Sequence, residues 1–134
     1  MLFRSEAGTF VYENVAGMAA AVDYLAQVGR LVAGRSGASD ARTLREDTHT
    51  AMGAIQAYEQ TLSLALLKML RDCGAEIYGV KEDARVAQRV PTVCFNIPRV
   101  DPAAVTAAAA RAGIGLRDGH MYSPRLMRRL GRSE

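Results

Sequence analysis

Leu62-Ser-Leu-Ala-Leu-Leu-Lys-Met-Leu-Arg-Asp-Cys-Gly-Ala-Glu-Ile-Tyr-Gly-Val80 is the stretch that decides the fold, because a helical period ends inside it and an extended one begins. Upstream, Ile55, Tyr58, Leu62, Ala65 and Met69 step by three and four, and Leu66 and Leu70 widen that apolar face. Thr43 and Glu46 form a capping-box pattern, in which each side chain satisfies a backbone N–H near a helix start. Gly74 supplies the stop. The spacing predicts one helix of about seven turns, the spine of the domain. Past Gly74 the period changes. Ile77-Tyr-Gly-Val80 is short and β-leaning, and Val93, Phe95 and Ile97 alternate with Thr92, Cys94 and Asn96. Two strands are expected, joined by the charged, irregular loop Lys81–Val90.

Toward the N-terminus, Val15, Met18, Val22 and Leu25 form an amphipathic stripe with Ala19 and Ala26 beside it, predicting a helix over Asn14–Gly29. The small, polar run Gly34–Asp40 reads as a loop. Toward the C-terminus, Asp101-Pro102 offers an N-cap and a proline at the first helical position, Ala103–Ala112 is a strong helix former, and Gly113 ends it. Ile114-Gly-Leu-Arg117 is expected to return as a third strand, Asp118-Gly119 to turn the chain, and Ser123-Pro124 to cap a short helix carrying Leu126, Met127 and Leu130 up to Gly131. This order predicts an α+β fold, with long helices packed on a small, mainly antiparallel sheet. Three short strands make a thin sheet, and the first long helix has no strand before residue 75 to pack on, so both ends read as cut.

The chain has 134 residues and 49% apolar content, enough for one domain with a real core. With 23% charged residues and only 4 prolines it fits neither a disordered nor a low-complexity class. Residues 123–134 hold Arg125, Arg128, Arg129 and Arg132 against Glu134, which accounts for the whole net charge of +3. The rest of the chain is neutral, has two lysines and no tryptophan, and does not read as a nucleic-acid surface. Arg125, Arg128 and Arg132 fall on one helical stripe, read as a solvated face near a helix C-terminus. Cys73 and Cys94 lie far apart without CxxC or Cys/His spacing, so no zinc site or disulfide framework is expected; both read as reduced packing residues. Nothing resembles a signal peptide and no run of 18 apolar residues spans a bilayer, so the reading is cytoplasmic, without membrane.

Four segments follow one another in a familiar order: Arg4-Ser-Glu-Ala-Gly-Thr9, the alanine-rich Ala16–Leu25, Pro91-Thr-Val-Cys-Phe95, and Gly113-Ile-Gly-Leu-Arg-Asp-Gly-His-Met-Tyr122. Together they resemble the C-terminal third of cysteine desulfurase-like proteins of the class V aminotransferase family, which use pyridoxal phosphate (PLP). The similarity runs from about Phe3 to Gly131. It implies the small C-terminal domain of a fold-type-I PLP enzyme. Residues 1–42 would be a remnant of the large domain with the interdomain helix, and residues 43–134 the small domain without its last strand and helix. It also implies an active site at a dimer interface, and hence self-association or pairing with a fuller PLP-enzyme chain.

On that resemblance, Gly8 and Thr9 match the pair that reaches the cofactor phosphate of the neighbouring subunit. The chemistry suits them: glycine lets the backbone approach, and a hydroxyl with a backbone N–H donates to phosphate oxygens. His120, beside the Asp118-Gly119 turn, is placed at the mouth of the active site as a substrate-pocket candidate. Departures matter as much. PLP needs a lysine amine, yet Lys68 lies inside the long helix and Lys81 opens the charged loop, and neither matches the family's lysine. Tyr122 stands where a persulfide-forming cysteine would align, and a phenol cannot accept sulfur in that way. No catalytic residue and no metal ligand set is assigned. His49 reads as exposed, and Asp118 and Glu6 as ordinary surface acids. The expectation is therefore a portion of a PLP-dependent lyase or transferase, inactive alone. The rival is a non-catalytic α+β interaction or dimerisation module. A stand-alone small-molecule-binding domain has least support, since no glycine-rich phosphate loop is visible.

Overall fold

Helix stops and starts written in the sequence organise the computed structural model, which describes residues 11–34 and 42–132. The chain forms two compact units, Met1–Thr61 and Leu62–Glu134. The described elements are α1 (Tyr12–Val32), α2 (Leu44–Asp72), β1 (Glu76–Tyr78), a 3-10 helix (Asp83–Gln88), β2 (Cys94–Asn96), α3 (Pro102–Arg111) and α4 (Pro124–Arg129). This is the expected α+β mixture of helices with a small antiparallel sheet.

In the first unit, α1 runs past Gly29 by about a turn. Gly29 was expected to stop the helix but has a different task. A Cβ built on it would lie 1.9 Å from the carbonyl oxygen of Asp47, so only glycine permits this close approach of α1 to the first turns of α2. The stop falls at Gly34, whose φ of 68° suits a residue without a Cβ. Ala26, Gly29 and Ala51 are buried around the crossing. Asp47 is only 4% exposed there, and its Oδ2 accepts from Arg30 Nη1 at 3.1 Å. The capping box is present as expected: Thr43 N–H donates to Glu46 Oε2 at 2.7 Å, and Glu46 N–H to Thr43 Oγ1 at 3.3 Å. Away from the crossing the predicted stripe of α1 is exposed at Val15 (46%), Met18 (68%) and Val22 (40%). By length and composition α1 also meets the minimum for a membrane span, contrary to the expectation that no segment does. A helix that packs on protein passes the same test, and α1 carries Glu13, Asp23 and Arg30.

In the second unit, α2 ends where Gly74 adopts a φ of 68°, with Ala75 N–H donating to Leu70 O and Gly74 N–H to Arg71 O. The turn delivers the chain directly into β1. Leu67, Leu70 and Ile77 form the core, with Leu66, Ala75, Val93 and Phe95 packed against it. The expected face of α2 is therefore displaced: Tyr58, Leu62 and Met69 are 65%, 51% and 51% exposed. Strands β1 and β2 pair antiparallel with Ile77 opposite Phe95 and Tyr78 opposite Cys94, and Cys94 and Cys73 are exposed, free thiols rather than packing residues. The loop between the strands contains the 3-10 helix and is stitched by arginines. Arg89 donates to the carbonyls of Val80, Val90 and Thr92, and Arg71 pairs with Asp83. The Asp101 cap and Pro102 start α3 as expected, Asp101 Oδ1 accepting from Ala103 N–H at 3.2 Å. Ile114–Arg117 is not a strand. Ile114 and Leu116 are 56% and 40% exposed; glycine at 115 weakens extended structure, and no described strand offers these residues a ladder. Ser123 precedes α4 without making a side-chain cap.

Candidate functional site around the His120 turn

Gly8 and Thr9, the expected phosphate-binding pair, lie outside the described residues, as does Glu6. His120 lies within them, in a turn built from unusual backbone. Ser123 N–H donates to His120 O at 2.8 Å, and the two residues inside that turn, Met121 and Tyr122, both have positive φ, 46° and 64°. That is the hand of a mirror-image turn, which asparagine and glycine adopt readily and other residues only at a cost of about 1–2 kcal/mol each. Gly119, with φ at 100°, brings the chain into it. Asp118 ties the entry to α3 by accepting from Thr106 Oγ1 at 3.0 Å. Asp118 is thus a positioning group and meets no second carboxylate in the described residues.

The turn has two chemical consequences. His120 is half-buried, and its Nδ1, shielded from solvent, has no hydrogen-bond partner among the described residues. A nitrogen so placed is costly unless another group meets it. Tyr122 is held almost fully outward, 91% exposed, and with Ser123, Pro124, Arg125 and Leu126 it lines an open cleft of about 400 Å³. Among the described residues no group hydrogen-bonds to the phenol. Neither lysine lines this cleft. Lys68 is an exposed side chain whose Nζ lies 2.5 Å from Asp72 Oδ2, and Lys81 is exposed at the start of the charged loop.

Beyond the turn, the arginine stripe expected on α4 is rearranged. Arg132 folds back onto the sheet, donating from Nε to the Tyr78 hydroxyl at 3.1 Å and pairing with Glu76. These partners, the Tyr78 hydroxyl foremost, raise its pKa and hold the guanidinium charged. Arg125, Arg128 and Arg129 remain exposed. The sequence contained the signal for this set, but periodicity alone could not say which arginine leaves it. His49 is exposed, and no group of three or more metal-ligating side chains occurs among the described residues.

No family model matches the chain, and no solved structure matches it. Curated proteins do. Probable cysteine desulfurases of Staphylococcus aureus strains Mu50 and COL are each 30% identical over 124 residues, covering 92% of this chain and 24% of the relative. The chain spans about a quarter of the length of the curated relatives it matches.

Proposed function

We propose that this chain is the C-terminal, small-domain portion of a PLP-dependent cysteine desulfurase-like protein of the class V aminotransferase family, cytoplasmic, and that it does not catalyse by itself. The similarity that carries the reading is 30% identity sustained over 92% of the chain to a part of curated cysteine desulfurases. The α+β architecture is compatible with it. On this reading residues 43–134 are the small domain, residues 1–42 belong with the large one, Gly8 and Thr9 face the cofactor phosphate of a neighbouring subunit, and His120 lies at the pocket mouth.

The described residues do not fit covalent attachment of PLP. A carrier lysine needs a free amine beside a pocket for ring and phosphate. Lys68 is engaged with Asp72 on an exposed face, and Lys81 does not line the cleft beside Tyr122. No chemical step through the cofactor is therefore assigned to this chain. Tyr122 is in keeping with this reading: by the resemblance it stands where a persulfide cysteine would align, and its phenol is exposed. The test is an absorption spectrum after adding PLP and removing the excess by gel filtration, with sulfide release from cysteine measured in parallel. The isolated chain should retain no bound PLP band and release no sulfide above a blank. When mixed with the large-domain portion of the S. aureus relative, it should co-purify. A retained band lost in Lys68→Ala, or sustained turnover lost in Cys94→Ser, would overturn the reading.

A second reading, a non-catalytic module that pairs with itself, is favoured by the exposure of Val15, Met18 and Val22 on α1. Their three-and-four spacing, continued by Leu25, is the seam that two helices use to pack on each other. Full burial of each such side chain is worth about 1.5–3 kcal/mol, comparable in sum with the stability of a small domain. Sedimentation should show association that weakens in Met18→Asp while helix content is kept. A folded monomer at micromolar concentration, unchanged by the substitution, would exclude this reading.

A further inference from the structure

We propose that the arginine face of α4, together with the outward-held Tyr122, is a docking surface for a carboxylate-rich peptide segment of another protein. The inference stands apart from the desulfurase reading and uses no residue of it except Tyr122. Arg30, Arg42, Arg71, Arg85 and Arg132 each meet a carboxylate, and Arg89 meets backbone carbonyls. Arg45, Arg99, Arg111 and Arg117 meet no acid among the described residues either, but they are scattered, whereas the equally unpaired Arg125, Arg128 and Arg129 are concentrated on one helix of 6 residues.

Positions 125, 128 and 129 are spaced i, i+3 and i+4, so the three guanidiniums share one face of α4 and repel each other. A face of this kind is unfavourable to the isolated chain and becomes favourable when an anion bridges it. All three are arginine, whose planar fork matches a carboxylate in two parallel hydrogen bonds. Beside them the strained turn at Met121 and Tyr122 holds an aromatic ring 91% exposed over the cleft that Arg125 and Leu126 also line. Backbone held in a costly conformation to display an apolar ring suits a partner that covers the ring. Arginine charge next to an aromatic anchor is the composition of binding hot spots. The occupant is a protein segment rather than a nucleic acid because the charge is confined to little more than one helical turn. Residues 1–122 carry zero net charge, so the cationic excess lies in this short segment rather than along a track that a phosphate backbone would follow.

The test is fluorescence anisotropy of a dye-labelled Asp/Glu-rich peptide carrying one leucine, titrated with the full chain at physiological ionic strength. A single-stranded oligonucleotide of equal charge is titrated in parallel. Saturable peptide binding is expected. Joint replacement Arg125→Gln, Arg128→Gln and Arg129→Gln should weaken it about tenfold, Arg129→Gln alone about twofold, and Tyr122→Ala several-fold. Arg111→Gln, an exposed arginine on α3, should leave it unchanged. The substituted side chains are exposed, and circular dichroism establishes that each variant is folded. Absence of saturable binding, an equal loss in Arg111→Gln, or tighter binding of the oligonucleotide than of the peptide would overturn the proposal.

Discussion

Replacing Gly29 by alanine sets two known effects against each other at one atom. In an exposed helix interior alanine is favoured over glycine by about 1 kcal/mol. At position 29, however, the new methyl would stand 1.9 Å from the Asp47 carbonyl oxygen and 2.7 Å from its carbonyl carbon, both backbone atoms. Backbone cannot swing aside as a side-chain tip can, so the crossing of α1 and α2 must open by an ångström or more. Opening it lengthens the Arg30–Asp47 contact at 3.1 Å and admits water to Ala26 and Ala51. Overpacking of this kind costs about 1–3 kcal/mol, and a buried carboxylate losing part of its pairing adds about 1–3 kcal/mol more. The clash wins, with a net loss of roughly 1–5 kcal/mol. Gly17 and Gly53 are the controls, helical glycines with nothing within 4 Å of an added Cβ. Their alanine variants should gain up to about 1 kcal/mol each. Urea unfolding followed by far-ultraviolet circular dichroism separates the variants. If Gly29→Ala proves as stable as Gly17→Ala, the close approach of the two helices is refuted.

Leu67→Ala, which removes a fully buried side chain from the core with Leu70 and Ile77, should cost about 2–5 kcal/mol by the same unfolding measurement, while Met69→Ala on the exposed face should cost far less. Arg89→Ala leaves the carbonyls of Val80, Val90 and Thr92 without their donor, so amide exchange over residues 80–92 should accelerate while exchange in α2 stays unchanged. Cys73 and Cys94 are exposed, and both should react with a thiol reagent in the folded protein without denaturant. Glu46 is held below the usual carboxylate range, first by the Thr43 backbone N–H and then by the Thr43 side chain. Its folded pKa is lower than its unfolded one, so its contribution to the start of α2 is present above the unfolded value and is lost as pH falls through the folded value. Carboxyl titration followed by NMR should show the depression, and Thr43→Gly should reduce it.

Where a helix boundary is chemistry at a few named residues, the sequence was readable. Thr43 and Glu46 close their box, Asp101 caps α3, and Gly74 ends α2 with the left-handed conformation that the stop requires. The choice of face was harder, because Leu62, Leu64, Leu66, Leu67, Met69 and Leu70 nearly encircle the last turns of α2. Periodicity selects the direction only when one side is polar, and here the strand that follows Gly74 decides, drawing Leu67 and Leu70 inward onto Ile77. The third strand failed for a related reason. Alternation over Ile114–Arg117 is a local property, whereas a strand exists only with a neighbour to hydrogen-bond.

The candidate site was legible in its residues and not in its backbone. His120 and the arginines after it could be singled out from composition and position, but a mirror-image turn centred on Met121 and Tyr122 carries none of the asparagine or glycine that normally announces one. That turn determines what the segment presents: it shields His120 Nδ1, turns Tyr122 outward and starts α4 beside the cleft. A residue pattern that predicted a surface helix and a rim histidine thus becomes, through two strained dihedrals, a display of one ring and three guanidiniums. The strain is stored where no core packing repays it, since Met121 and Tyr122 are 41% and 91% exposed. The Ser123–His120 and Thr106–Asp118 hydrogen bonds hold the strained turn in place, and a partner covering the displayed ring would offset part of its cost, which is the physical ground of the docking proposal.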